Sequence, residues 1–392
     1  MTLRFLTGGE SHGPALVGVI EGLPSGLSLS SRDIDNDLAR RQAGYGRGGR
    51  MRVENDRVRI LSGVRLGKTL GSPVTLYIEN RDHENWLQAM GVEAPAPGAA
   101  PEPETRPRPG HGDLAGMLKF GTRDARDVLE RASARETAAR VAAGAAARRL
   151  LGELGMSVLS RVVAIGGIQA PAGGIDRTSF AIADSDLVRC VDSDASRRMI
   201  EAIESAAGDG DTLGGVFEVA AFGVVPGLGS PSQWDRRLDA RLCGALASIP
   251  GIKGVETGAG FELGSLRGSQ AHDEIFYEEA SGIFRGTNRA GGLEAGMTNG
   301  EPVLMRAAMK PIPTLGQPLA TVDVALLEPA VAFNERADVC AVPAASIVGE
   351  AAVALVLADA ALEKFGGDSM VEVRRNFEGY LDGIGDLWRR RD

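Results

Sequence analysis

The stretch PAASIVGEAAVALVLADAALEKFGG, residues 343–367, is the most sharply bounded element in the chain. Pro343 stands near its start and Gly366-Gly367 follow its end, which frames one long helix from Ala344 to Phe365. Its richest apolar part, Ala351 to Leu362, is cut by Asp359, so no membrane span is expected. Upstream lie two strand-like runs, Val303–Met309 and Val322–Leu327. Further out, Ser30 to Gln42 opens with the capping-box pattern Ser30-x-x-Asp33 and sets Ile34 and Leu38 four apart. A second such box, Ser133-Ala-Arg-Glu136, opens an Ala-rich helix towards Leu154. Asp194–Ala207 and Trp234–Ser248 read as amphipathic helices, and Val53–Leu61, Val74–Glu79 and Val216–Val225 as strands. Helices and strands are interspersed without the strict alternation of a doubly wound sheet, which gives a mixed α+β class.

Length alone, 392 residues, suggests two or three domains. With 43% hydrophobic and 24% charged residues the composition is that of a globular protein. The N-terminus MTLRFLTGGE has no signal-peptide pattern. Cys190, Cys243 and Cys340 are odd in number, far apart and without metal-ligand spacing, which favours a reducing, cytoplasmic setting. A net charge of −9 argues against general nucleic-acid binding, while the arginines crowded between Arg40 and Arg59 suit a small anion. Segment 91–109, GVEAPAPGAAPEPETRPRP, reads as an extended, mobile surface loop. The 53 glycines are clustered rather than periodic, as in tight turns or backbone brought close to a ligand.

Two of the four histidines lie between glycines: His12 in GGESHGP (8–14) and His111 in RPRPGHGD (106–113). A histidine so unshielded can reach a ligand, and its reference pKa near about 6.5 suits proton transfer near neutrality. The rival reading is a plain turn at 8–14 and a solvated loop at 106–113. Asp113 is placed to orient the second ring; His83 and His272, among charged neighbours, read as surface or supporting residues. RRQAGYGRGGRMR (40–52) interleaves arginine forks with glycines, so that several forks can converge on one anion. Its rivals are a solvated face or an RNA-binding Gly/Arg tract. In RASARET (131–137), Arg135 lies in a helix's first turn, an unfavourable place unless an anion sits there. Weaker glycine-rich or charged segments follow at 208–215, 249–256, 291–300, 310–314 and 333–338; in the last, an extended backbone projects Arg336 and Asp338 to one side.

Taken in order, GGESHG, RRQAGYGRGGRM, RPGHGD, RASARETA, GDGDTLGG, IKGVE, GGLEAGMTNGEP, MKPIPTL and NERADVCAVPA resemble the chorismate synthase family from Gly8 to Val348. The departures are small: the family usually has Ala where Gly112 stands, often Ser at Ala132, and commonly Gly at Ala295. The resemblance implies one compact α+β domain over 1–392, a β-α-β sandwich with helices between antiparallel sheets, assembled as a homotetramer. It also implies conversion of 5-enolpyruvylshikimate-3-phosphate to chorismate and phosphate, an anti 1,4-elimination requiring reduced FMN (FMNH2) without net redox change.

Carried over residue by residue, the resemblance makes Arg41, Arg47 and Arg50 the substrate- or NADPH-binding arginines, with Arg135 in support. His12 serves the leaving phosphate, His111 keeps the reduced flavin protonated, and Asp338 takes the proton of flavin N5. Flavin contacts are implied for Ser133, Ala134, Arg135, Pro250, Gly251, Ala295, Lys310, Pro311, Ile312, Pro313, Thr314 and Arg336. No metal site and no membrane or nucleic-acid partner is expected. The absence of a Rossmann-type glycine motif leans towards an external flavin reductase. The alternative reading is a flavin-dependent oxidoreductase acting on a small anion.

Overall fold

The architecture, taken from a computed structural model, follows from where the apolar residues must go. The structure describes residues 2–48, 55–279, 282–335 and 338–389. Strands β1 (Arg4–Gly8), β2 (Ala15–Glu21), β3 (Val58–Ser62) and β4 (Val74–Glu79) form an antiparallel sheet in the order β1-β2-β4-β3. Strands β5 (Ser157–Ile165), β6 (Ile168–Gln169), β7 (Gly215–Phe222), β8 (Ile252–Thr257) and β9 (Val303–Met309) form a second antiparallel sheet, ordered β8-β9-β7-β5-β6. In β2 and β4 the burial alternates with period two, so each presents one apolar edge inward.

Four helices fill the space between the sheets: α1 (Ser31–Gln42), α2 (Thr137–Glu153), α3 (Leu238–Ala247) and α4 (Val342–Phe365). Helices α1 and α2 pack on the first sheet, α3 and α4 on the second, and α2 lies against α4. The α+β sandwich expected from the sequence is therefore observed. One hydrophobic cluster runs from Leu3 to Phe377 through both sheets and all four helices. Helix α4 is long and apolar enough to cross a membrane, yet 89% of its most apolar window is buried in this core. The α2–α4 crossing is close because Gly144 has no side chain: a Cβ there would lie 2.3 Å from the Cβ of Ala351.

Local readings hold unevenly. Ser30 caps α1 with a full capping box, and Val303–Met309 and Val74–Glu79 are strands over those residues. The box at Ser133 does not form. Ser133 Oγ accepts from Arg135 N across a 3₁₀ turn, Ala134–Glu136, and α2 begins only at Thr137. Val322–Leu327 is not one strand. The strand Ala320–Asp323 turns at Leu327 (φ +59°) into Glu328–Val331, with Asp323 accepting from the backbone N–H groups of Ala325 and Leu326. The Pro/Ala segment is exposed from 91 to 103, but its end is tied to this hairpin: Val324 N donates to Thr105 O at 2.9 Å and Thr321 Oγ1 to Pro107 O at 2.6 Å.

Candidate active site

The loop after β1 carries His12, and it is held from three sides. Asn80, just past β4, donates to Glu10 O and Gly13 O at 3.0 and 2.8 Å. The Nδ1–H of His83 donates to His12 O at 2.8 Å, which makes His83 a supporting residue. Glu130, on the short helix Arg126–Ala132, accepts from His12 N at 2.8 Å and lies 2.9 Å from His12 Nδ1. The imidazole is stacked on Trp86, centroid to centroid 4.1 Å at 26°. Burial pushes the Glu130 carboxyl up, but the hydrogen bond and charge of His12 outweigh it and leave the group below its ordinary value.

His111 sits in a parallel arrangement. Its Nδ1 is hydrogen-bonded to Asp113, which is fully buried at the start of the helix Asp113–Phe120. Arg108 Nε donates to the same carboxylate at 2.9 Å, with its guanidinium 4.5 Å from the Phe333 ring centre. Burial raises Asp113; the His111 and Arg108 hydrogen bonds more than reverse this and hold it at about 2. Gly112 has an ordinary φ of −77°, and a Cβ there would meet only Ala132 Cβ, at 3.5 Å. The small residues at 112 and 132 thus face each other.

Two arginines join these pairs. Arg126 donates to Glu130 at 2.9 Å, stacks over Trp86 at 4.8 Å and lies 3.7 Å from Glu335; Arg108 donates to the other oxygen of Glu335 at 3.2 Å. The path His12–Glu130–Arg126–Glu335–Arg108–Asp113–His111 is therefore continuous. Glu130, Trp86, Arg126 and Glu335 did not stand out in the sequence. Glu130 directly precedes the RASARET motif, so distance from a motif was not the obstacle; an isolated carboxylate simply carries no periodic signal.

The arginine cluster lies where α1 ends. Arg41 is buried, donating from Nε to Thr137 Oγ1 at 3.0 Å and from Nη2 to Ala134 O at 3.1 Å, with Asp56 3.5 Å from Nη1. Arg135 donates to Asp56 at 2.6 Å and to Asn80 Oδ1 at 2.8 Å. Asp56 is thus one anion, of the protein's own, opposite Arg135. Arg47 pairs with Asp338 at 2.7 Å, and Asp338 also accepts from Gly48 N at 2.6 Å. Arg41 is lowered to about 10, by burial first, against Asp56, with Arg47 and Arg135 adding repulsion. Among the described residues, three arginines stand around two carboxylates, an excess of positive charge. Arg50 and Arg336 lie outside the described residues.

Of the residues implied for a flavin, several converge. Ser133 Oγ donates to Ser11 Oγ in the His12 loop at 3.2 Å, and Ala134 O receives Arg41. Lys310 N donates to the O of Gly251, next to Pro250, while Lys310 Nζ donates to Gly110 O beside His111. A Cβ on Gly110 would lie 3.4 Å from Pro313, Thr314 Oγ1 accepts from Arg108, and Ile312 O accepts from Thr212. Pro311 lies between them in the same segment. Burial lowers the Lys310 ammonium and the charge of Lys253 adds to the shift, which makes the surroundings of Lys310 an electropositive spot. Such a spot fits a phosphate or an anionic ring. Ala295 is apart from these contacts, in a two-residue turn with Gly296 held against the start of α3. Its φ of +50° is left-handed, a conformation that glycine adopts without penalty. A groove of about 830 Å³ on the second sheet is lined by Arg161, Glu218, Glu256 and Arg306. Arg161 and Arg306 are committed to those glutamates.

Fold and site together define an α+β enzyme with two carboxylate-held histidines beside a cationic cluster. The family model for chorismate synthase matches residues 3–362. The chorismate synthase of Desulforudis audaxviator (strain MP104C) is 60% identical over 386 residues, covering 97% of this chain and 98% of that protein. That of Syntrophotalea carbinolica (strain DSM 2380 / NBRC 103641 / GraBd1) is 57% identical over 381 residues, covering 96% and 97%. A crystal structure of chorismate synthase superposes with a TM-score of 0.80 at 42% identity over 98% of both chains. The chain belongs to the chorismate synthase family, lyases of the shikimate pathway.

Proposed function

We propose that this protein converts 5-enolpyruvylshikimate-3-phosphate to chorismate and phosphate by anti 1,4-elimination, with reduced FMN bound beside the substrate. The observation that carries the reading is the pair of carboxylate-held histidines next to a cluster in which arginines outnumber acids. The substrate brings one phosphate and two carboxylates, and Arg41, Arg47 and Arg50, with Arg135 in support, neutralise them. The bond from C3 to the phosphate oxygen breaks and the phosphate leaves with its electron pair, so charge grows on it. His12 supplies a proton or hydrogen bond there. The C6 hydrogen would pass to the flavin N5 that Asp338 leaves free to take it. Reduced FMN, when bound, would supply electron density to the departing-phosphate system. His111 would keep that group protonated, and Asp338 would take up the proton of its N5. Ser133, Ala134, Arg135, Pro250, Gly251, Lys310 to Thr314 and Arg336 would hold it, Lys310 and Arg336 through charge and the prolines as a rigid wall, while Ala295 lies apart from them.

The chain acts as one domain in a cytoplasmic homotetramer and receives reduced flavin from a separate reductase. Supporting this are the free cysteines and the exposed apolar side chains of Ile275, Phe276 and Tyr277 on one hairpin strand. The test is anaerobic incubation with the enolpyruvyl substrate and chemically reduced FMN. Chorismate and phosphate are expected in equal amounts, and His12→Ala is expected to lose most of the turnover. A folded, flavin-binding protein that forms neither product contradicts the reaction; near-full turnover in His12→Ala contradicts the role of His12 alone.

A further inference from the structure

We propose that Glu130 is the positioning residue for His12, fixing the imidazole with Nδ1–H on the Glu130 carboxylate so that Nε2, on the opposite edge, is the nitrogen that exchanges a proton with the substrate. This rests on the role given to His12 above. Both Glu130 oxygens lie within reach of Nδ1, at 2.9 and 3.1 Å, and an ionised carboxylate only accepts, so Nδ1 carries the hydrogen. The same carboxylate accepts the backbone N–H of His12 at 2.8 Å, which ties the ring and its main chain to one group. Rotation of the ring is opposed by the stack on Trp86, whose Nε1–H is held by Asp82 at 3.3 Å. Glu130 is itself fixed by Arg126, and Arg126 by the approach of Glu335. Among the described residues, the charged and titratable groups packed round this pair include Arg126 on the helix of Glu130, Asp82 and His83 beside Trp86, and Glu335 beyond Arg126. Glu130 is 3% exposed and its carboxyl lies below its ordinary range, so it faces His12 as a negative charge that water screens little.

The decisive comparison is Glu130→Gln against Glu130→Asp and wild type, read by steady-state kinetics over pH and by ¹⁵N spectra of the histidine rings. Glu130→Gln is expected to lower kcat by roughly 10- to 100-fold, a share of what a positioned proton donor contributes, with KM nearly unchanged. The kcat–pH profile of this variant departs from that of wild type. Glu130→Asp, which keeps the charge, recovers part of kcat and returns the profile towards wild type. In the wild-type spectrum the neutral His12 ring carries its proton on Nδ1. That reading needs no variant, so a poorly folded Glu130→Gln leaves the proposal testable. An Nε2–H ring in wild type, or a Glu130→Gln enzyme with wild-type kcat and pH profile, overturns it. If His12→Ala is crippled while Glu130→Gln is not, the positioning role alone fails. If His12→Ala is fully active, the reading of His12 fails first.

Discussion

Asp113 is fully buried and receives hydrogen bonds from both His111 and Arg108, so its carboxyl titrates at about 2 rather than near 4. A carboxyl depressed on folding contributes stability that is complete above its unfolded value, about 3.9, and is lost as pH falls through the folded one. Asp113→Asn is therefore expected to cost roughly 3 kcal/mol at neutral pH, because Arg108 is left buried beside a neutral group. In thermal melts taken down from neutrality, the gap between wild type and variant should narrow only below about pH 4. A gap that stays constant to about pH 2 would count against the pairing. At this scale the sequence was informative where glycines flanked a histidine, and Asp113 was legible as the orienting group of His111. Glu130 and Asp56 were not, because their partners His12 and Arg135 lie 118 and 79 residues away and nothing local marks such a pairing.

Among the elements, α4 was legible almost to the residue: Pro343 at its first turn and Gly366 at its end are local signals. The 3₁₀ turn at Ala134–Glu136 was not, since Ser133 and Glu136 fit a capping box by sequence while Glu136 is held instead by Arg140 at 2.8 Å. The α2–α4 contact depends on a residue that a sequence reading passes over. Gly144→Ala puts a Cβ 2.5 Å from the Ala351 backbone, where no side chain can swing away. The helices must part, and a loss of about 1–3 kcal/mol is expected in denaturant unfolding, although alanine is the better helix former. An unchanged or raised stability would show that this crossing is looser than described.

Over the whole molecule, the layers are tied by a buried charge cluster as well as by the apolar core. Glu350 of α4 is 1% exposed and meets Arg40 of α1, Arg148 of α2 and Arg189 at 2.8, 3.2 and 3.3 Å. Burial pushes this carboxyl up, but the three arginines leave it below its usual range. Glu350→Ala removes the carboxylate that three guanidiniums share, leaving Arg40 and Arg148 to Asp37 and Arg189 to Asp184, and a loss of roughly 1–3 kcal/mol in urea unfolding is expected. The α+β class was legible from interspersed elements, whereas the pairing order of the strands was not. β9 lies between β7 and β8, and β4 between β2 and β3, by contacts that no local periodicity encodes.

In the proposed reaction this cationic, two-histidine site drives elimination and not oxidation. The most direct test follows phosphate release and flavin redox state together, without oxygen, using substrate in large excess over reduced FMN. Many phosphates released per flavin, with the flavin still reduced when substrate is gone, is the predicted result. One flavin oxidised for each substrate consumed would contradict it.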